Sequence, residues 1–198
     1  MHQNFNRCKR KSYYRISYKG WYTMKKYQTY KLVKKSLINN FIQCIERLIQ
    51  NNACNQIIAD ELLKWINDNE VELVGTIFDK VYGILQYKDL NVLNYPISYA
   101  NHMDIVRSLE NCIKFRANTE TLAMILRDCL EGLFFLEANF ICANCKTSGL
   151  IVVKEKDLLY ECRSCSFLQD LNGDKYTPSE VLTIPTISDL KQIGQLIK

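Results

Sequence analysis

Histidine, glycine and proline are scarce in this sequence, which has two His, seven Gly and three Pro among 198 residues. Nucleophilic catalysis of the Ser/His/Asp or Cys/His type needs a histidine base, and neither His2 nor His102 belongs to a recognisable arrangement of this kind. A lone histidine at a helix start, such as His102, is typical of a surface residue. The few glycines form no Gly-rich loop that would hold a phosphate.

Some acidic residues lie close together in the sequence. Their positions at helix starts and on polar helix faces are better explained by helix capping and solvation than by general acid–base catalysis. These groups are Asp60-Glu61, Glu70 with Glu72, and Asp128 with Glu131, and we expect Glu120 and Glu131 to be exposed. With no catalytic arrangement visible, the sequence predicts a protein that is not an enzyme, has no catalytic residues and takes no small-molecule substrate.

Long apolar runs are also missing. No stretch reaches eighteen apolar residues, and the first twenty-three residues lack an apolar core followed by a cleavage site. We therefore expect no membrane-spanning helix and no secretory leader. The nine cysteines include five scattered ones, Cys8, Cys44, Cys54, Cys112 and Cys129, an odd number that favours a reducing, cytoplasmic setting. Of these, Cys44, Cys112 and Cys129 fall in apolar helical patterns and are expected in the core.

Charge is distributed unevenly along the chain. The net charge is +5, yet residues 1–35 hold eleven Lys or Arg and no Asp or Glu, so the remainder carries 15 − 21 = −6. Cations interleaved with aromatic rings suit phosphate contacts and base stacking. The candidate nucleic-acid-binding residues are Arg7, Lys9, Arg10, Lys11, Arg15, Lys19, Trp21, Lys25 and Lys26.

Two other interpretations of this basic N-terminal segment, residues 1–30, remain open. Such a segment is often a solvated, poorly ordered arm. Alternatively, Met24-Lys25-Lys26 resembles a bacterial start, so that residues 1–23 would not belong to the working protein.

Apolar residues then recur with the helical period over most of residues 27–138. The pattern predicts five helices, at about 27–49, 54–67, 70–87, 99–115 and 119–138, with Asn118 or Thr119 capping the last. Pro96 lies in an irregular connection, residues 88–98, where a continuous helix is not possible. A short final helix is expected at 190–197, with Ser188-Asp189 as its cap.

Two Cys-x-x-Cys pairs carry the clearest chemical signal. Cys142 and Cys145 are separated from Cys162 and Cys165 by sixteen residues, a spacing typical of a structural zinc site. The spacer predicts a β-hairpin, with a Val/Ile-rich strand from Leu150, a turn at Lys156-Asp157, and a return strand over residues 158–161. Four thiolates leave no open position for water or substrate, so we expect one structural Zn²⁺.

Residues 140–168 resemble the zinc-ribbon fold group, which occurs in transcription factors, RNA polymerase subunits, ribosomal proteins and small regulators. The commonest knuckle of that group is Cys-Pro-x-Cys-Gly, and neither pair here has the Pro or the following Gly. Redox pairs or disulfides fit less well, because two pairs flank a hairpin rather than one pair adjoining a βαβ unit. Four cysteines also hold iron or an iron–sulfur cluster, and the spacing does not distinguish these from zinc.

The predicted fold is therefore mainly α, a bundle of about five helices followed by a small β-hairpin zinc ribbon and a short terminal helix. The predicted domains are a basic aromatic arm (1–30), a helical bundle (31–139), the ribbon (140–168) and a tail with a short helix (169–198).

The sequence favours a zinc-binding, nucleic-acid-associated regulator that uses its basic arm, because the resemblance implies such roles and the arm supplies the charge. The ribbon itself is neutral, with four cations against four anions over residues 142–170. The alternative is a bacterial inhibitor, immunity or adaptor protein whose acidic helical body binds a basic protein partner, with zinc purely structural.

Overall fold

A computed structural model of the chain describes residues 30–192. Within this range the chain divides into two compact units, with the boundary after Phe134. The first unit, residues 30–134, is helical, and the second, residues 135–192, is built on a sheet. The nine candidate arm residues, Arg7 to Lys26, and Cys8 lie outside the described residues.

The helical unit contains four helices of 13–16 residues and several single turns. Its α-helices are α1 (Lys35–Gln50), α2 (Asn55–Asp68), α3 (Glu70–Leu73), α4 (Ile77–Lys80), α5 (His102–Lys114) and α6 (Thr119–Phe134), with 3₁₀ turns at Ile84–Tyr87, Val92–Asn94 and Ile97–Tyr99. Asn101 caps α5 by accepting a hydrogen bond from the backbone N–H of Met103. Asn118 caps α6 in the same way, accepting from Thr121 N–H at 3.0 Å.

The predicted third helix, residues 70–87, is wrong. Gly75 and Gly83 both adopt the left-handed conformation, with φ of +80° and +60°, and each interrupts the helical hydrogen-bond ladder. Asp79 stabilises the first break, because its carboxylate accepts the Gly75 N–H at 2.9 Å. Two one-turn helices and a 3₁₀ turn result, and of the apolar side chains that produced the helical pattern Leu73 and Phe78 are fully buried, whereas Val74 and Val81 are exposed.

Helix α6 is the most apolar helix of the unit and ends four residues before its predicted end. Its buried residues are Leu122, Ala123, Ile125, Leu126, Cys129, Leu130, Glu131, Leu133 and Phe134. Residues Glu137–Ala138, predicted as helix, form strand β1 instead.

The second unit is a four-stranded antiparallel sheet in the order β1-β2-β3-β4. Its strands are β1 (Glu137–Ala138), β2 (Leu150–Lys154), β3 (Leu158–Cys162) and β4 (Leu168–Gln169). The predicted hairpin corresponds to β2 and β3, which pair from Leu150 opposite Cys162 to Lys154 opposite Leu158. The two-residue strands β1 and β4 extend it on either side.

Both faces of this sheet are covered, and the alternation of side chains separates them. On one face, Leu150, Val152, Tyr160 and Cys162 pack with Leu190. On the other face, Ile151, Val153 and Leu159 pack with side chains from the chain that follows β4. The continuous run of apolar residues in β2 and β3 therefore reflects burial on two sides.

The last described element is α7 (Ile187–Gln192), which begins three residues before the predicted start. The cap is Thr186 rather than Ser188-Asp189. Thr186 Oγ1 accepts the Asp189 N–H at 3.3 Å, and Asp189 Oδ2 accepts the Thr186 N–H at 2.9 Å.

The expected fold class, a mainly helical chain with a small sheet and a short terminal helix, is confirmed. Among residues 30–192, no helix combines the length and the apolar character needed to cross a membrane.

Candidate metal centre

The two Cys-x-x-Cys pairs lie at the same end of the β2–β3 hairpin. Cys142 and Cys145 lie in the connection from β1 to β2, and Cys162 is the last residue of β3, with Cys165 just beyond it. Because Leu150 at the start of β2 is paired with Cys162 at the end of β3, the strand register brings both pairs together.

Each pair forms a tight knuckle, and the two knuckles make the same backbone hydrogen bonds twenty residues apart. Cys142 N–H donates to Thr147 O at 2.9 Å, and Cys162 N–H donates to Phe167 O at 2.9 Å. The N–H four residues after each first cysteine returns to that cysteine's carbonyl, at 3.0 Å in one knuckle and 2.8 Å in the other. The two turns therefore have equivalent backbone hydrogen bonding, and both direct their cysteines toward the same place.

The residue after each second cysteine is left-handed, with φ of 60° at Lys146 and 57° at Ser166. A side chain in this conformation costs roughly 1–2 kcal/mol relative to glycine. The commonest zinc-ribbon knuckle has Gly at this position. The two knuckles of this chain therefore lack glycine where the left-handed backbone conformation favours it.

The four sulfur atoms converge. Cys142 Sγ lies 3.6 Å from Cys165 Sγ, Cys145 Sγ lies 3.5 Å from Cys162 Sγ, and all four lie within 4.8 Å of one another. A tetrahedron of thiolates about 2.3 Å from zinc has S···S distances of about 3.8 Å. The four cysteines are therefore placed to hold one metal ion, and the sulfur donor set is the one that zinc takes in structural sites.

Polar groups around the sulfurs favour thiolates. Thr147 Oγ1 lies 3.0 Å from Cys145 Sγ, and hydrogen bonding from Thr147 lowers the pKa of the Cys145 thiol to about 6. The side chain of Asn144 donates to Cys165 Sγ at 3.5 Å, and Cys145 N–H donates to Cys142 Sγ at 3.5 Å. Desolvation by burial raises the pKa of the Cys142 thiol to about 12. A bound cation would offset the cost of burying Cys142 as a charged thiolate.

Burial differs between the cysteines of each pair. Cys142 and Cys162 are fully buried, Cys145 is half-buried and Cys165 is exposed. Four thiolates complete a tetrahedral shell, and this is the donor set of a structural rather than a catalytic ion.

The remaining described cysteines lie outside this cluster. Cys44, Cys112 and Cys129 are buried in the helical unit, which confirms their expected place in the core. Cys54 is exposed at the N-cap position of α2.

One charged group escaped the sequence analysis. Glu131, expected on an exposed face, is 7% exposed, and its carboxylate lies 3.4 Å from Arg127 Nε. The Arg127 guanidinium also donates to Asp128 at 2.7 Å and covers the ring of Tyr82 at 5.3 Å. The only sequence signal was the i, i+4 spacing of Arg127 and Glu131 on an otherwise apolar helix.

A polar cleft of about 310 Å³ lies in the helical unit between α1 and α2. Its walls hold the cations Arg47 and Lys64 and the anions Glu61 and Asp68, and an ion pair of 3.4 Å joins Arg47 to Glu61. With balanced charge, this cleft has no electrostatic preference for a phosphate group.

Comparison with protein families gives one finding. The model of the family TraI_2, described as "Putative helicase", matches residues 6–169, a range that includes the nine candidate arm residues and all four cysteines of the cluster. Comparison with curated proteins and with solved structures gives no match. The comparisons do not show a zinc-ribbon family, and that relationship stays a prediction.

The family corrects one prediction. Helicases are enzymes, so the expectation of a non-enzymatic protein is wrong, and the family is consistent with association with nucleic acid. Motif reasoning missed this because active sites are assembled in space from residues that need not form a local pattern. Since the matched range covers more than four-fifths of the sequence, the chain belongs to the TraI_2 "Putative helicase" family.

Proposed function

We propose that this chain is a helicase-type protein that acts on nucleic acid and contains one structural zinc ion. The match to the helicase family over residues 6–169 carries the proposal. The convergence of four sulfurs supports the metal component.

Cys142, Cys145, Cys162 and Cys165 would hold the zinc ion, whose contribution is to fix the two knuckles to each other. The β2–β3 pairing brings the two knuckles side by side, and the ion would add a direct link between the four sulfurs that these turns carry. Because the ion binds only when the knuckles are folded, its binding free energy adds to the folding stability of this end of the sheet.

The basic arm is the part of the chain best suited to contact phosphates. Residues 30–134 hold eleven Lys or Arg against thirteen Asp or Glu, and residues 135–192 hold six against eight. Both described units are thus slightly acidic, and the excess positive charge lies at residues 1–29, where eight cations stand without an anion. We propose that Arg7, Lys9, Arg10, Lys11, Arg15, Lys19, Lys25 and Lys26 contact the nucleic-acid backbone and that Trp21 stacks on a base.

The proposed domain organisation follows from the same residues. An arm at 1–30 would bind nucleic acid, a helical bundle at 31–139 would form the body, the zinc-held segment at 140–168 would stabilise it, and the tail at 169–198 would complete the sheet unit.

The experiment uses the full zinc-loaded chain and a fluorescent single-stranded oligonucleotide, with affinity measured from 50 to 200 mM salt. We expect affinity to fall steeply with salt, and the triple variant Lys9→Gln/Arg10→Gln/Lys11→Gln to reduce the slope of log K against log salt by about 2. A matched variant, Lys114→Gln/Arg116→Gln in the helical unit, should leave the slope unchanged.

A second assay measures strand displacement from a partial duplex in the presence of Mg²⁺ and a nucleoside triphosphate. Displacement above the level without nucleotide supports helicase-type activity. Absence of oligonucleotide binding at 50 mM salt would overturn the proposed function. Binding with equal salt slopes for the arm variant and wild type would overturn the role of the arm.

A further inference from the structure

Two hydrogen bonds that involve no sulfur atom join the cysteine knuckles to each other. In the first knuckle, the backbone N–H of Ala143 donates to the side-chain Oε1 of Gln169 at 2.9 Å. In the second knuckle, the backbone N–H of Arg163 donates to the carbonyl of Gly149 at 3.4 Å. Each bond runs from one knuckle to the segment that follows the other, and we call them the cross-knuckle hydrogen bonds.

The same offset of twenty residues that relates the knuckles also relates these two bonds. Ala143 corresponds to Arg163 as the donor, and Gly149 corresponds to Gln169 as the acceptor. The acceptor group differs, because Gly149 offers its main-chain carbonyl whereas Gln169 offers its side-chain carboxamide. The carboxamide of Gln169 therefore takes a place that the backbone fills on the other side.

Gln169 is well placed to act as a rigid support for the first knuckle. It is the second residue of β4 and is 4% exposed. Its backbone pairs with Tyr160 of β3 and forms a further bridge with Lys175. Since its backbone is held by both of these neighbours, its carboxamide reaches Ala143 from a fixed position.

The residue type at position 143 makes this bond possible. Proline occupies the equivalent position in the Cys-Pro-x-Cys knuckle, and proline has no backbone N–H to donate. This chain has Ala143 in one knuckle and Arg163 in the other, so both knuckles keep the donor. The cross-knuckle hydrogen bonds give this departure from the commonest knuckle a structural role.

We propose that Gln169 is a positioning residue of the metal centre, whose carboxamide holds the first knuckle against the second so that the four sulfurs already converge before the ion binds. This role rests on the proposed zinc site and adds a residue that sets its affinity. Gln169 acts through Ala143, the neighbour of the ligand Cys142, rather than on the ion itself. Groups that orient metal ligands in this way typically contribute about 10–100-fold to metal affinity.

The test measures the zinc affinity of the full chain by competition with a chromophoric chelator. Gln169→Met removes the acceptor, keeps a side chain of similar length and leaves the Ala143 N–H without its partner. We expect this variant to bind zinc about tenfold or more weakly than wild type does. Gln86→Met, the same substitution at an exposed position of the helical unit, should leave the affinity at the wild-type level.

The double variant Ala143→Pro/Gln169→Met separates positioning from packing. It removes the donor together with the acceptor, and losing both partners of a hydrogen bond costs less than losing one. We therefore expect the double variant to recover most of the zinc affinity that Gln169→Met loses. A side chain that served only to fill space in the sheet would not be rescued by a change at residue 143.

Wild-type zinc affinity in Gln169→Met would overturn the proposal. A loss that Ala143→Pro does not reverse would overturn it as well, because Gln169 would then act through packing. Absence of zinc from the wild-type chain would overturn the proposed metal site and the role of Gln169 with it. None of these results depends on nucleic-acid binding, which is tested separately.

Discussion

Lys146 and Ser166 occupy the same left-handed position in the two cysteine knuckles, with φ values of 60° and 57°, each directly after the second cysteine of its pair. Neither residue is the glycine that this conformation favours. The side chain of Lys146 is exposed, so its backbone conformation can be tested without disturbing the core.

Lys146→Gly should stabilise the metal-loaded protein by about 1 kcal/mol, because glycine removes the steric cost of the left-handed conformation. Ala143→Gly in the same knuckle is the matched control, since this exposed residue lacks a positive φ and should lose about 0.5–1 kcal/mol. Urea unfolding of both variants at saturating zinc measures the difference. Equal destabilisation by the two substitutions would contradict the assigned knuckle geometry.

Cys162→Ser should abolish stable metal binding, because it removes a fully buried sulfur from the four-sulfur cluster. Elemental analysis should give about one zinc per wild-type chain and almost none in the variant. Cys54→Ser, at an exposed helix cap outside the cluster, is the control and should keep the wild-type zinc content. Full metal retention in Cys162→Ser would refute the site.

Arg127→Met should destabilise the helical unit by about 3 kcal/mol, because it leaves the buried carboxylate of Glu131 without its cation. The double variant Arg127→Met/Glu131→Leu should recover much of this loss, since no uncompensated charge remains. Arg107→Met is the control, because Arg107 pairs with Asp104 at the surface, where both side chains are more than 60% exposed, and should cost less than about 1 kcal/mol. An Arg127→Met cost no larger than that of Arg107→Met would contradict a buried network.

Hydrogen bonding from Tyr176, together with backbone donors, lowers the pKa of Glu155 below its ordinary value of 4.5. The ionised carboxylate therefore stabilises the contacts of Tyr176 and Ser179 with Glu155, and this contribution is complete at neutral pH and lost as the pH falls through the folded-state pKa. Carbon-13 NMR of the Glu155 carboxyl should show a titration midpoint below 4.5. Tyr176→Phe removes the largest cause and should move the midpoint upward, and an unchanged midpoint in that variant would contradict the assigned contact.

The sequence was informative where a local pattern decides the structure. The Cys-x-x-Cys spacing located the cluster, Val/Ile content located the hairpin, and helical periodicity located α1, α2, α5 and α6. Periodicity missed the break at Gly75, because Leu73 and Phe78, on either side of it, are both fully buried and five residues apart in an otherwise apolar stretch.

Features that depend on contacts distant in sequence were not predictable. Glu131 looked solvated because its burial depends on Arg127, Tyr82 and the packing of α6. Residues 175–184 contain no regular element, and their place on the sheet depends on contacts with Lys154 and Glu155, more than twenty residues away, as well as with β4. The enzyme class was missed for a related reason, since it came from similarity over the whole matched range rather than from a motif.

X-ray absorption at the zinc edge, on the full chain purified without added metal, tests the four-sulfur centre most directly. The account predicts one zinc ion per chain surrounded by four sulfur atoms at about 2.3 Å. A shell containing nitrogen or oxygen ligands, an iron signal in place of zinc, or a metal-free chain with its cysteines paired as disulfides would contradict it.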